Sequence, residues 1–363
     1  MNVRPALLTL LFSALLVCGA SCQRSGSEKL KVEAPPGGVL LRGAGATFPA
    51  PLYQKWFTKY RQAHPDVVVA YDEVGSGEGI KRFIGKSKEL SEDELVDFAA
   101  SDAAMSDAEI AEVDRGVQLL PATAGVVVLA YNLPDLQSDL KLSQEVFAGI
   151  LLGKITQWND PRIVKDNPGV AFPKLTIAFV ARQDSSGTTF ALTTHLSAVS
   201  EQWRAQFGGG AKYVNWPGNV MRANGNEGVA GRIKQSIGSL GYVHYGFAKR
   251  LGLKMALLQN KAGHFVRPTE RSGAATLASA RLPNNLRLYF PDPEGEESYP
   301  IVTFSWVLLY RNYADAKTAA VVKDLFRWCL TEGQQFSGEL GYLRLAPNVV
   351  SAATAAVDAI GPQ

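Results

Sequence analysis

Cysteine is scarce in this chain. Three occur in 363 residues, at Cys18, Cys22 and Cys329. Two of them fall within the first 22 residues, so the remainder holds Cys329 alone and no intrachain disulfide can brace it. Histidine is equally thin: His64, His195, His244 and His264 are scattered with no metal-ligand spacing, and they read as structural or exposed. Charge of one sign is missing too. The formal balance is +3 over the whole chain, too weak for a nucleic-acid partner. After residue 22 no run is long and apolar enough to span a bilayer. Three motifs are also absent: the Gly-x-Ser-x-Gly elbow, His-Glu-x-x-His, and the Gly-x-x-x-x-Gly-Lys-Ser/Thr phosphate loop. The hydrolase and nucleotidase templates that need them are therefore disfavoured. No cofactor or metal is implied, and there is no internal repeat. What is left is an ordinary globular composition, 46% hydrophobic and 20% charged, long enough for two domains.

The N-terminus reads as a signal peptide over residues 1–21. Arg4 supplies the cation, Ala6 to Val17 the apolar run, and Gly19-Ala20-Ser21-Cys22 the small-residue exit. Small residues before a Cys resemble the bacterial lipobox, with Gly19 where Leu is usual, so Cys22 is the expected lipidation site; the alternative is ordinary signal-peptidase cleavage near the same place. Residues 22–37, polar and then Pro/Gly-rich (Pro35-Pro36-Gly37-Gly38), form a tether. Beyond it, β-branched runs at 67–71, 125–131 and 301–310 alternate with helical spacing at 52–60 and 316–330. That alternation predicts an α/β fold with largely parallel sheets. Trp56, Trp158, Trp203, Trp216, Trp306 and Trp328 read as packing residues. The charged run at 86–94 reads as a solvated face.

Three loops share one chemistry: Gly-Ala-Gly-Ala-Thr-Phe-Pro at 43–49, Gly-Ser-Gly-Glu-Gly at 75–79, and Arg-Gln-Asp-Ser-Ser-Gly-Thr-Thr-Phe at 182–190. Each is rich in Gly, Ser and Thr and runs into a helical stretch. A helix N-terminus offers unpaired N–H groups and partial positive charge, and nearby hydroxyls add donors. Three such starts, one with an Arg, point to a shared small anion.

Those loops, in order, resemble the motifs of the periplasmic phosphate-binding proteins of phosphate ABC importers. The resemblance runs over roughly residues 40–350. It extends to Asp97-Phe98-Ala99-Ala100-Ser101-Asp102-Ala103, to Gly149–Asn159, and to Gly241-Tyr242-Val243-His244-Tyr245. It implies a two-lobed type II periplasmic-binding-protein fold with the ligand in the inter-lobe cleft. Lobe I would comprise 38–122 with 298–363, and lobe II 123–297. The implied phosphate contacts are Thr47, Phe48 (through its N–H), Ser76, Asp102, Arg182, Ser186, Gly187 and Thr188, with Asp184 holding the Arg182 guanidinium. Departures from the pattern are Gly77-Glu78, Ala99, Ala181, Ser185 and a longer segment between Ile84 and Asp97. None removes an implied contact, and Glu78 is expected to face solvent.

The function so implied is that of an extracytoplasmic receptor, periplasmic or at the cell surface and held by a lipid anchor. It would act as a monomer that binds inorganic phosphate and hands it to a membrane-embedded ABC permease. The residues fit that chemistry. Phosphate near neutral pH keeps a proton and sulfate does not, so one carboxylate acceptor, Asp102, among donors would separate them. Competing readings are a receptor for sulfate or another tetrahedral oxyanion, a phosphatase using Ser76 or Ser186, and a sensor or adhesion lipoprotein that only retains the fold.

Overall fold

The computed structural model describes residues 32–278 and 280–362. The expected signal peptide, Cys22 and the first part of the tether lie outside the described residues.

The chain opens with strand β1 (Val39–Gly45), helix α1 (Ala50–Ala63), β2 (Val67–Glu73), α2 (Ser76–Ile84) and β3 (Phe98–Ser101). In α1 the apolar residues recur at helical spacing, so Leu52, Tyr53, Trp56, Phe57 and Tyr60 all turn inward and are buried. Burial of each such side chain contributes roughly 1.5–3 kcal/mol. The helix stops before His64-Pro65, because the residue preceding a proline avoids the helical region.

A long strand β4 (Val117–Tyr131) follows. Then come β5 (Ala178–Arg182), α3 (Gly187–Val199), β6 (Val220–Ala223), α4 (Gly225–Gln235) and β7 (Ser239–His244). The chain returns through β8 (Val302–Tyr310) and helix α5 (Ala316–Leu330). In α5, Val322, Leu325, Phe326 and Cys329 form the buried stripe, which makes Cys329 a packing residue.

The main sheet has the order β2-β1-β3-β8-β4-β7-β5-β6, with the short strand Lys254–Met255 also on β4. Its two ends are parallel: β1 pairs parallel with β2 and β3, and β5 with β6 and β7. The centre is antiparallel, because β8 and β4 run against their neighbours. The expectation of a largely parallel sheet is therefore corrected to a mixed one. Helical crossovers connect strands at each end of the sheet, whereas β4 and β8 carry the chain between the ends. Residues 117–126 of β4 pair with β8, and residues 127–131 pair with β7. All of β4 except Gln118 is buried. Pro121 cannot donate to the ladder, and there the register slips: Trp306 faces Pro121, Ser305 faces Thr123, and Ala122 bulges.

β5 and β6 run opposite to β1, β2 and β3, so the C-terminal ends of the two sets face each other across the middle of β4, and their loops meet there. That is where ligands bind in sheets of this kind.

Candidate anion site

Ser76 opens α2 and is 1% exposed. Gly75 before it adopts φ +90, and a Cβ there would stand 2.4 Å from Asp184 Oδ2, so both its conformation and its position demand glycine. Ser76 Oγ accepts the Asp102 N–H at 3.3 Å and the Gly187 N–H at 3.1 Å. One hydroxyl thus ties the second loop to β3 and to the third loop. Gly187 is needed for the same approach, since a Cβ would lie 2.6 Å from both Asp102 Cβ and Ser76 Oγ.

Asp102 follows β3 directly and is 1% exposed. Its Oδ1 accepts the Ser305 hydroxyl at 2.8 Å, and its Oδ2 accepts the Thr188 hydroxyl at 3.4 Å. Burial pushes its carboxyl up to about 7, against the opposing pull of Ser305, Arg182 and Thr188, while Asp184 adds to the rise. Without a ligand it can therefore hold or release a proton near neutrality.

Arg182 ends β5, buried. Its Nε donates to Asp184 Oδ1 at 2.8 Å, its Nη2 to Asp184 Oδ2, and its Nη1 to Thr188 Oγ1 at 3.3 Å. Burial works against the Asp184 charge, but the Arg182 fork and the Gly225 N–H outweigh it and hold the carboxyl below its usual range. The main chain of Arg182 is fixed as well: its N–H donates to the Tyr242 hydroxyl at 3.1 Å, which also bonds Thr189 Oγ1 at 2.7 Å.

Ser186 is the N-cap of α3, its Oγ accepting the Thr189 N–H at 3.1 Å. It aims the first turn of α3, with Gly187 and Thr188, at Ser76 and Asp102. From the other side, Thr47 Oγ1 accepts both the backbone N–H and the Nδ2 of Asn226 at 3.0 Å. Phe48 is fully buried, its ring 4.3 Å from that of His244, and its carbonyl accepts the Tyr342 hydroxyl at 2.6 Å. His244 stacks on Tyr342 and meets the Phe48 ring at a tilt, and burial pushes its ring pKa down to about 3 with Arg250 adding to the shift.

The structure thus links Ser76, Asp102, Arg182, Asp184, Gly187, Thr188 and Thr47 in one hydrogen-bonded cluster, with Phe48 and Ser186 adjoining it. Glu78 is half-buried and bound to Arg82 at 3.1 Å in an i,i+4 pair. It is therefore held by a cation of its own helix rather than facing solvent freely.

Sequence reasoning missed Asn226 and Ser305. Asn226 had a legible signal: Ala223-Asn224-Gly225-Asn226-Glu227-Gly228 is a fourth polar, Gly-rich loop entering a helix. Ser305 sits mid-strand in an apolar run and gave none. Among the described residues, no group of His, Cys, Asp or Glu is placed to hold a metal ion, and no helix is long and apolar enough to cross a membrane.

Residues 29–332 match the PBP superfamily domain. The phosphate-binding protein PstS of Pasteurella multocida is 39% identical over 315 residues, covering 85% of this chain and 87% of that protein. PstS of Methanocaldococcus jannaschii is 35% identical over 342 residues, covering 88% and 84%. Among solved structures, the phosphate-bound periplasmic phosphate-binding protein PfluDING superposes with a TM-score of 0.70 at 20% identity, covering 87% of this chain and 93% of that one. The phosphate-binding protein of Stenotrophomonas maltophilia gives 0.70 at 21%, covering 88% and 94%. The fold is accordingly the two-lobed periplasmic-binding one, and by sequence the chain belongs to the PstS family of phosphate-binding proteins.

Proposed function

We infer that this chain is the receptor that binds inorganic phosphate outside the cytoplasm and delivers it to an ABC permease. The observation that carries the inference is a buried cluster of donors in which one carboxylate, Asp184, is taken up by Arg182 and the other, Asp102, is not. The hydroxyls of Ser76 and Thr188 and the N-terminal turn of α3 lie at Asp102, Arg182 Nη1 reaches Thr188, and Asn226 joins Thr47 to them. In this reading Thr47, Phe48, Ser76, Asp102, Arg182, Ser186, Gly187 and Thr188 contact the anion, and Asp184 orients Arg182. Asp102 takes the phosphate O–H. Sulfate brings no proton, so the same carboxylate repels it and stays unsatisfied.

The lobes are 38–122 with 298–363, and 123–297, closing over the anion about the two central strands. Contacts of loop on loop support closure as the binding motion: Gly77 N–H donates to the Ser185 carbonyl at 3.0 Å, and Lys212 pairs with Glu109 at 2.8 Å. Residues 1–21 act as a signal peptide, Cys22 carries the lipid anchor, and the receptor works as a monomer.

Titration calorimetry of the purified protein with phosphate and with sulfate tests the reading. Phosphate should bind and sulfate should be largely ignored. Equal binding of the two overturns the ligand assignment, and turnover of a chromogenic phosphate ester overturns the receptor role.

A further inference from the structure

Three hydroxyls of the cluster have their acceptor side already filled by N–H groups. Ser76 Oγ takes the N–H of Asp102 and of Gly187, at 3.3 and 3.1 Å. Thr47 Oγ1 takes the backbone N–H and the Nδ2 of Asn226, both at 3.0 Å. Thr188 Oγ1 takes Arg182 Nη1 at 3.3 Å and Asn226 Nδ2 at 3.4 Å, and sends its own hydrogen to Asp102. A hydroxyl has one hydrogen and two lone pairs. With both lone pairs taken, it can only donate.

Asn226 serves two of the three hydroxyls. It is fully buried on α4, and the direction of its amide is forced. Its Oδ1 accepts the His244 backbone N–H at 2.9 Å. That N–H can only donate, so the oxygen must face it and Nδ2 must face Thr47 and Thr188. Gly225 beside it, at φ +65, donates its N–H to Asp184 Oδ1 at 3.0 Å. This fourth loop therefore touches both ends of the cluster.

We propose that Asn226 is a positioning residue for anion recognition: it fills the lone pairs of Thr47 and so fixes that hydroxyl as a donor toward the bound oxyanion. The proposal rests on the receptor reading above and deepens it. With these three hydroxyls held as donors, none of them competes with Asp102 for the proton of the anion. Asn226 then contributes to selectivity through the polarity of another side chain, without itself contacting the ligand.

The experiment measures inorganic phosphate affinity by titration calorimetry, and thermal stability, for the mature chain and for Asn226→Ala, Asn226→Asp, Thr47→Val and the Asn226→Ala/Thr47→Val double variant. Asn226→Ala should weaken binding roughly 10-fold or more, the scale of one oriented hydrogen bond to a charged group. Asn226→Asp should be weaker still. It keeps an acceptor for His244 but puts an acceptor where Nδ2 stood, which turns the Thr47 hydrogen away from the anion. In the Thr47→Val background, Asn226→Ala should cost no more than about 2-fold further, since coupled residues do not add.

A merely structural role predicts the opposite order, with the isosteric Asn226→Asp the milder change, and that order overturns the proposal. Additive losses in the double variant overturn it too. Should Asn226→Ala fail to fold, Thr47→Val carries the test alone, because unchanged phosphate affinity there removes the hydroxyl through which Asn226 would act. If the wild type binds sulfate in place of phosphate, the phosphate assignment fails, and the same ranking of variants, read with sulfate, supports or overturns the role of Asn226.

Discussion

Arg82 and Arg182 are buried to nearly the same degree, 7% and 3% exposed, yet their surroundings differ in kind. Arg82 is matched by three carboxylates: Nε to Glu78 at 3.1 Å, Nη1 to Asp72 at 3.0 Å and Nη2 to Glu94 at 3.2 Å. Each of its three nitrogens faces a carboxylate, so an anion approaching this guanidinium meets three negative charges around one positive. Arg182 has one carboxylate partner, Asp184, on one edge of the fork, and Nη1 meets only a neutral hydroxyl. That Nη1 edge faces Thr188, at the start of α3. Burial alone marks neither arginine as functional; what distinguishes them is whether carboxylates face every nitrogen of the fork or only one edge of it. The formal charges of Arg182 and Asp184 also cancel. The pull on an anion therefore comes largely from N–H groups, hydroxyls and the helix N-terminus, which need no counterion.

The largest effect expected is the one that separates these two arginines. Arg182→Ala removes one partner of a buried charge pair, a change that costs about 3–5 kcal/mol, or roughly two to three and a half orders of magnitude in phosphate affinity. Arg82→Ala should leave phosphate affinity within a few-fold. It should cost stability instead, by about 1–2 kcal/mol, because its carboxylates are a third to a half exposed and water screens them. Calorimetric titration and thermal unfolding of both variants check the contrast. If Arg82→Ala loses binding as Arg182→Ala does, the distinction collapses.

Asp102 sharpens the comparison from the acceptor side. Its folded-state pKa, without ligand, is raised from 3.8 to about 7. A raised carboxyl favours the folded protein while protonated, so this contribution is fully present below about pH 4 and is lost as pH rises through about 7. Asp102→Asn abolishes the titration. The ligand-free variant should melt higher than wild type at pH 8, and the gap should close as pH falls toward 4. The same variant should shift selectivity toward sulfate by about 1–3 kcal/mol, the scale of an unsatisfied buried group. Unfolding scans across pH, together with competitive titration of the two anions, measure both effects. A pH-independent difference in melting would remove burial of the charge as its cause.

The smallest effect belongs to the rim of the cleft. Lys212 and Glu109 pair at 2.8 Å with side chains 21% and 28% exposed. Burial opposes ionisation of Glu109, but Lys212 and the Ser106 cap hold its carboxyl below its usual range. Lys212→Met should weaken phosphate binding by less than about 1 kcal/mol, and by less again at high salt. A loss that persists in high salt would place Lys212 with the buried donors rather than at the rim.

Much of this was legible before any coordinates. Helical spacing located α1 and α5, and the strands at 67–71 and 301–310 appeared where β-branched runs predict them. The three Gly-rich loops, with Asp102 and Arg182, were found because helix starts carry a local signature in polar and small residues. The parallel sheet was overcalled. The β-branched run at 125–131 is only the second part of β4, whose first part is interrupted by Pro121 and does not read as a strand. Strand direction depends on partners far along the chain, such as β8 for β3, and no local pattern encodes it. Ser305 was invisible for the same reason: one hydroxyl in a buried strand reads as an accident until Asp102, 203 residues away in sequence and adjacent in space, gives it a partner.

The shared strand β4 has a consequence for how this protein can be divided. Neither end of the sheet owns β4: residues 117–126 complete one ladder and residues 127–131 the other. A fragment cut at either crossing would leave a torn edge of unpaired amides, with the fully buried Val126–Ala130 stripped of its cover on one side. The two halves are thus not interchangeable modules. Exchanging one half between relatives would graft a ladder onto a foreign neighbour, and inheritance by shuffling would have to carry β4 and β8 together as a single unit.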